Sequence, residues 1–269
     1  MALAYMVCGK ELRTARLLKG GKMLCVPMDH GISSGPISGL ENIHGVIYQC
    51  EKAGLTCILV NKGIIKTMPA PISIGLIAHL SGSTTLSPNP NKKVLIGSVE
   101  EAVRLGADGV SVHINIGAKE ESEMLHDLGS ISDKCDEWGM PLIAMMYPRG
   151  ENIKHPYDPQ IVAHAVRIGA EAGADLIKAV YTGDIDSFKP VVKSCPVPVV
   201  IAGGPKSKTD QDLIEMCAGA MKAGAIGVTF GRNIFQHVNP PAIIRALSEI
   251  ILKGKNVQEA TIHLDSYKK

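Results

Sequence analysis

The stretch EAGADLIKAVYTGD, residues 171–184, holds a helix end, a glycine and a short apolar run that contains a lysine, Lys178. Its first part recurs three times, in EKAGLTCILV (51–60), VRLGADGVSVHI (103–114) and MKAGAIGVTF (221–230). In these segments Gly54, Gly106, Gly173 and Gly224 stand where a helix stops, since glycine takes the left-handed conformation without a Cβ penalty. The Val- and Ile-rich run after each glycine reads as a strand. Four more apolar runs lie among them: MLCVPMD, LIAHL, PLIAMMY and VPVVIAGG. They are continuous rather than alternating, as in a parallel sheet covered on both faces.

Eight strands are therefore expected, at residues 22–29, 56–60, 76–80, 109–114, 141–147, 175–179, 198–202 and 226–230. Helix starts fall between them. Ser98 with Glu101 reads as a capping box, Asp158 before Pro159 as an N-cap with a first-turn proline, and Thr209 with Asp212 as a second box. Ile43, Val46, Ile47 and Cys50 share one helical face. Eight βα units in 269 residues favour an α/β fold of the TIM (β/α)8 type over an open doubly wound sheet. A long loop, SGSTTLSPNPNKKV, follows the third strand, and ELRTARLLK predicts an extra N-terminal helix. With no linker or low-complexity segment, residues 1–269 read as one catalytic domain.

Composition narrows the function. A net charge of +2 with no basic block, and 4% aromatic residues, argue against nucleic-acid binding. No apolar stretch reaches the length of a membrane span. The seven cysteines form no C-x-x-C pair and several lie in apolar runs, which predicts reduced thiols and a cytoplasmic setting. The N-terminal MALAYMVC has no basic region before its apolar part, unlike a signal peptide. The nine histidines show no ligand spacing for a metal, and His79 and His164 read as core or surface residues.

Lysine is seldom buried without a partner. Lys178 is either a structural ion-pair member, with Asp29 or Asp184, or a reactive amine. A barrel of this type places its active site at the C-terminal strand ends. There the sequence puts Asp29 and His30, His113 and Asn115, Tyr147 with Pro148 and Arg149, Lys178, and the turns GGPK (203–206) and GRN (231–233). A lysine in a partly apolar pocket near other cations is expected to have its pKa pulled below the free value of about 10.4. Its neutral amine can then attack a ketone and form an imine, an electron sink for breaking an adjacent C–C bond. Asp29 and Tyr147 are suitable types for the base and acid such a reaction needs. The two glycine turns after the last strands suit a phosphate, with Arg232 adding charge-assisted hydrogen bonds. GISSG (31–35) matches a serine-hydrolase elbow, but Pro36 and Gly39 interrupt the helix that should follow. A serine hydrolase and a non-catalytic phosphosugar-binding barrel remain open on these grounds.

VPMDHGISSGP, HLSGSTTLSPNP, MPLIAMMYPRG, YTGDIDSF, AGGPK and IGVTFGRNIFQ together give a sequence that resembles the archaeal class I aldolase group of Schiff-base barrels, over most of the chain. The resemblance implies that Lys178 is the Schiff-base lysine, Tyr147 the proton donor and Asp29 the proton acceptor. It implies sugar-phosphate contacts by Asp29, His30, Gly31, Ile32 and Ser33, by Tyr147, Pro148 and Arg149, by Gly203 and Gly204, and by Gly231 and Arg232. It further implies no metal or organic cofactor and a homo-oligomeric ring, commonly a decamer. The reaction it suggests is a transaldolase type, early in aromatic amino acid synthesis. A ketone fragment of 6-deoxy-5-ketofructose 1-phosphate passes to L-aspartate semialdehyde, and hydroxypyruvaldehyde phosphate leaves. The fructose-bisphosphate aldolases of the group carry a tryptophan two residues before the tyrosine. Met145 stands there in this chain, which favours the transaldolase, with fructose-bisphosphate cleavage as the alternative.

Overall fold

Each apolar run forms a strand, and the glycines that separate them take positive φ as expected, +100° at Gly54, +76° at Gly106, +95° at Gly173 and +108° at Gly224. The computed structural model describes residues 9–265; MALAYMVC, with Cys8, lies outside them, as do residues 266–269. The strands are β1 (Met23–Pro27), β2 (Cys57–Asn61), β3 (Gly75–His79), β4 (Ser81–Gly82), β5 (Val94–Leu95), β6 (Gly109–Ile116), β7 (Leu142–Pro148), β8 (Leu176–Ala179), β9 (Val199–Ala202) and β10 (Gly227–Thr229). All but β4 and β5 close into a parallel barrel in the order β1-β10-β9-β8-β7-β6-β3-β2. This is the expected TIM barrel. The long loop after β3 carries an unforeseen antiparallel pair, β4 with β5, with Ser81 opposite Leu95.

The helix starts follow their caps. Asp158 accepts hydrogen bonds from the backbone N–H groups of Gln160 and Ile161 ahead of the helix Pro159–Glu171. Thr209 and Asp212 form the full reciprocal box. The box at Ser98 is only half formed. Ser98 accepts from the Glu101 N–H, but the Glu101 carboxylate turns to Lys62 (2.8 Å) and Lys66 (2.7 Å) instead. Two ammonium groups outcompete one backbone donor for a carboxylate.

Residues paired in register face the same side of the sheet. His79 lies opposite Ser111, His113 opposite Met145, Asn115 opposite Tyr147, and Met145 opposite Lys178. On this inward phase the barrel interior changes character along its axis. Its lower part packs Met23, Cys25, Cys57, Ile77, Ile143, Leu176 and Val200 into an apolar cluster. The upper positions of β3, β6, β7 and β8 are His79, Ser111, His113, Asn115, Tyr147 and Lys178. The outward phase packs on the helices.

The extra helix, Gly9–Leu17, closes the lower end. Leu17 is fully buried in the interior cluster. Glycines make that approach possible: a Cβ on Gly75 would fall 2.7 Å from the Arg16 carbonyl oxygen, and one on Gly109 would fall 2.9 Å from the Leu17 Cδ1. Arg16 pairs with Asp108, whose other oxygen accepts from the Leu76 N–H at 3.0 Å. Lys10 pairs with Asp175 at 3.0 Å, and Asp175 accepts from the Leu142 N–H at 2.8 Å. The lower end is thus plugged and its charges are matched. Among the described residues no helix is long and apolar enough to cross a membrane.

Candidate active site

The polar inward residues open into a cavity of about 530 Å³ at the C-terminal ends of the barrel strands. Its wall includes Asp29, His30 and Ser33 after β1, Tyr147 and Arg149 at the end of β7, Lys178 on β8, Gly203 and Gly204 after β9, and Gly231 and Arg232 after β10. Strand ends far apart in sequence therefore meet around one space. Three of the expected contacts stand elsewhere. Gly31 and Ile32 line a neighbouring apolar pocket with Met28, Leu40 and Ile43. Pro148 is buried and is not part of the cavity wall.

Lys178 is 6% exposed. The Met145 Sδ lies 4.0 Å from its Nζ, and among the described residues no carboxylate oxygen comes within ion-pair distance. The structural ion pair considered above does not form. The expected depression of its pKa does not appear either. Burial pushes the ammonium down, but Tyr147, Asp29 and Cys25 outweigh it and the net direction is up. Cys25 is itself held as a thiol by burial, its pKa raised well above the ordinary value. That leaves Tyr147, which also hydrogen-bonds the ammonium, and Asp29 as the groups that hold it. Burial and neighbouring cations alone would lower the ammonium; closing the barrel brings the opposing groups to the same place.

Asp29 follows β1 at the barrel mouth. Burial raises its pKa, but His79, Lys178 and His30 offset this, and the carboxyl is held below its usual value. The His79 Nε2 stands 3.8 Å from one carboxylate oxygen and the His30 Nδ1 3.7 Å from the other. Burial lowers both imidazoles, with Asp29 partly offsetting it. His79 is a core residue, as expected, yet it also touches the site. Its Nδ1 is 2.8 Å from the Ser111 Oγ, which fixes the ring with its other nitrogen towards Asp29. The inward phase shared by Ile77 and His79 is the signal that marks it.

Tyr147 is held from two sides. The His113 ring meets it edge-on at 4.9 Å, and the Arg149 guanidinium lies 5.3 Å from its ring centroid. On the far side of Lys178, the turns after β9 and β10 are tied together. The Asn233 side chain donates to the carbonyls of Gly203 (3.0 Å) and Pro205 (3.2 Å) and accepts from the Ser207 N–H (2.6 Å). Arg232 donates to the Gly204 carbonyl at 2.9 Å. A Cβ on Gly231 would fall 2.8 Å from the His30 Cε1, so only glycine fits between that ring and the turn. Ser33 sits inside the short helix His30–Ser34 and not at a strand-to-helix elbow. Among the described residues no group of three His, Cys, Asp or Glu side chains is placed to hold a metal.

A buried amine, a carboxylate and a phenol around one cavity, with glycine turns beside them, can run imine and proton-transfer chemistry on a carbonyl compound. Comparison with known proteins agrees. Residues 23–237 match the DeoC/LacD family aldolases. The chain is 41% identical over 257 residues to the 2-amino-3,7-dideoxy-D-threo-hept-6-ulosonate synthase 1 of Archaeoglobus fulgidus, covering 95% of each chain. It is 39% identical over 232 residues to the 2-amino-4,5-dihydroxy-6-oxo-7-(phosphonooxy)heptanoate synthase of Streptomyces griseus, covering 86% of this chain and 85% of that one. A solved archaeal fructose-1,6-bisphosphate aldolase, with its catalytic lysine covalently bound to the carbinolamine intermediate of the substrate, superposes with a TM-score of 0.85. It is 34% identical, and the match covers 91% of this chain and 99% of that one.

Proposed function

Because the chain belongs to the DeoC/LacD family of aldolases, we propose that it is a Schiff-base synthase of the transaldolase type that builds a seven-carbon amino sugar acid. The observation that carries this reading is Lys178, buried in the cavity wall with no carboxylate within ion-pair distance among the described residues, and with Tyr147 and Asp29 around the same space. Both synthases named above make a product with a 2-amino acid at one end, hydroxyls on carbons four and five, and a ketone at carbon six. Cutting either product between those hydroxyl-bearing carbons leaves the same aldehyde, L-aspartate semialdehyde. The products differ in whether carbon seven carries phosphate.

The Lys178 amine attacks the donor ketone once its proton has passed to a neighbouring base. Tyr147 protonates the departing hydroxyl of the carbinolamine, water leaves and an iminium forms. Asp29 takes the proton of the hydroxyl on the far carbon of the bond that breaks. That C–C bond cleaves, its electrons move into the iminium to give an enamine, and an aldehyde departs. The enamine carbon then attacks the aldehyde of L-aspartate semialdehyde, and Asp29 returns its proton to the new alkoxide. Water, deprotonated by Tyr147, hydrolyses the imine and frees Lys178. The glycine turns at Gly203, Gly204 and Gly231, with Arg232, hold a phosphate and so fix the register of the chain, which turns binding into orientation. The donor is 6-deoxy-5-ketofructose 1-phosphate in this reading.

Borohydride reduction with a ketose phosphate present, followed by peptide mass analysis, tests it. An adduct on Lys178 is expected, together with a seven-carbon product when L-aspartate semialdehyde is supplied. Ligand binding without an adduct would instead make the chain a phosphosugar-binding barrel. The second reading, fructose-bisphosphate aldolase, is favoured by the solved relative at 34% identity. Met145, whose sulfur lies beside the Lys178 Nζ, weighs against it. Rapid release of triose phosphates from fructose 1,6-bisphosphate would displace the synthase. A cytoplasmic homo-oligomer, decameric as in the group the chain resembles, belongs to the same reading; light scattering measures the subunit number.

A further inference from the structure

Two residues that the sequence placed at the strand ends, His113 and Asn115, have no part in the mechanism above, yet the fold holds both firmly. They share the inward face of β6, with His113 opposite Met145 and Asn115 opposite Tyr147. His113 lines the cavity, whereas Asn115 is fully buried and is not part of its wall. The His113 backbone N–H donates to the Ser81 Oγ at 3.0 Å. The Asn115 side chain donates to the Asn91 carbonyl at 2.7 Å. That carbonyl sits in the loop after β3, which also brings Lys93 into the cavity wall while its neighbour Lys92 turns to Glu123 at 2.6 Å.

These bonds decide where the proton of the His113 ring sits. A carbonyl oxygen can only accept, so the Asn115 amide turns its nitrogen to Asn91 and its oxygen the other way. That oxygen lies 2.9 Å from the His113 Nε2. An amide oxygen can bond the ring only if Nε2 carries the proton, which leaves Nδ1 bare. Burial, then Lys93, His79 and Arg149, push the imidazole well below its ordinary pKa, with Asn115 partly opposing them. The ring therefore adds no charge beside the phenol. So fixed, it meets Tyr147 edge-on at 4.9 Å with the planes 68° apart, and the Arg149 guanidinium stands 5.3 Å from the centroid of the same phenol ring. Edge-to-face contacts are directional, so the orientation of one ring sets that of the other.

Resting on the function proposed above, we infer that Asn115 and His113 are positioning residues for Tyr147. Asn115 locks the imidazole as its Nε2–H tautomer, and the locked ring holds the phenol in the orientation from which it gives and takes protons. Neither residue transfers a proton itself. The contacts run from the Asn91 carbonyl through the Asn115 amide and the His113 ring to the Tyr147 ring. The loop after β3 and the proton donor on β7 are thus ordered together. A phenol that moves protons onto and off a carbinolamine needs such a hold, because proton transfer tolerates little displacement. Tyr147 serves the making and hydrolysis of the imine, and Asp29 the C–C bond. A defect in the pair therefore has its own signature: it falls on imine formation.

The test is a double-substitution cycle, with imine formation on a ketose phosphate followed by borohydride quenching at successive times. Asn115→Leu should slow imine formation about 10- to 100-fold, the scale of a misplaced catalytic group, with little change in the KM of the ketose phosphate. In a Tyr147→Phe background the same substitution should add almost nothing to the residual rate, because the group it positions is gone. Nitrogen NMR of labelled histidine should show His113, assigned by its absence in His113→Phe, as the Nε2–H tautomer, and as a mixture in Asn115→Leu. Equal losses in both backgrounds would overturn the inference and make the pair a support for the barrel as a whole. So would a bare Nε2 in the unmodified enzyme, or undiminished imine formation in Asn115→Leu. Should Asn115→Leu fail to fold, His113→Phe, which keeps a ring beside Tyr147 and loses the bond to Asn115, runs the same cycle with the same two outcomes. Failure of trapping in the unmodified enzyme would defeat the Schiff-base reading itself, a separate result, and the nitrogen spectrum would still report the tautomer.

Discussion

The floor and the mouth of the barrel are made from the same inward phase of the same strands, yet they treat charge differently. At the floor Arg16 meets Asp108, Lys10 meets Asp175, and Leu17 fills the space between strands. At the mouth Lys93, Arg149 and Lys178 share a cavity with only Asp29 opposite in sign. Paired charges at the floor leave both carboxylates bonded to backbone N–H groups as well, so their charge is met within the fold. Unpaired charges at the mouth cost stability, and that cost is recovered when anionic substrates bind. One end of the interior is built for folding and the other for chemistry.

Substitutions can break this contrast from either side. Lys178→Ala has the largest expected effect: turnover and borohydride trapping should both vanish while the protein still unfolds cooperatively. Detectable covalent trapping in that variant would move the nucleophile elsewhere. Asp29→Asn should lower kcat by about 10²- to 10⁴-fold, the usual contribution of a positioned general base, and a steady-state assay reads it. At the floor the order reverses. Leu17→Ala should cost about 2–5 kcal/mol of stability through the cavity it leaves, measured by denaturant unfolding, with kcat little changed. A large kcat loss at unchanged stability would mean that the floor is coupled to the chemistry. The smallest effect expected is a shift in pH profile. The pKa of Lys178 is raised, so imine formation should accelerate as pH climbs towards it. Tyr147 leads the groups that raise it, so Tyr147→Phe, besides losing rate, should move the rise of the trapping profile to lower pH. A shift to higher pH would contradict the sign.

Most of the fold was legible because it is punctuated. Gly54, Gly106, Gly173 and Gly224 mark helix ends whatever the tertiary structure, and the apolar runs after them cannot be surface strands. Lys178 was legible as a charge inside such a run. His79 was harder. Its neighbours in sequence are apolar, so it read as core, and only its phase with Gly75 and Ile77 places it on the inward face next to Asp29. Lys93 was hidden for another reason. Lys92 and Lys93 are adjacent in a loop, and which one turns inward depends on the pairing of β4 with β5, a contact across residues with no strand pattern of their own. The direction of the Lys178 pKa was out of reach as well, since it depends on Tyr147 and Asp29 arriving from β7 and from the turn after β1 when the sheet closes.

The plug formed by Leu17 has a kinetic corollary. With the bottom sealed, reactants and products share a single doorway, so the first aldehyde has to vacate before the second can enter. Initial velocities plotted in double-reciprocal form against both substrates should therefore trace parallel lines.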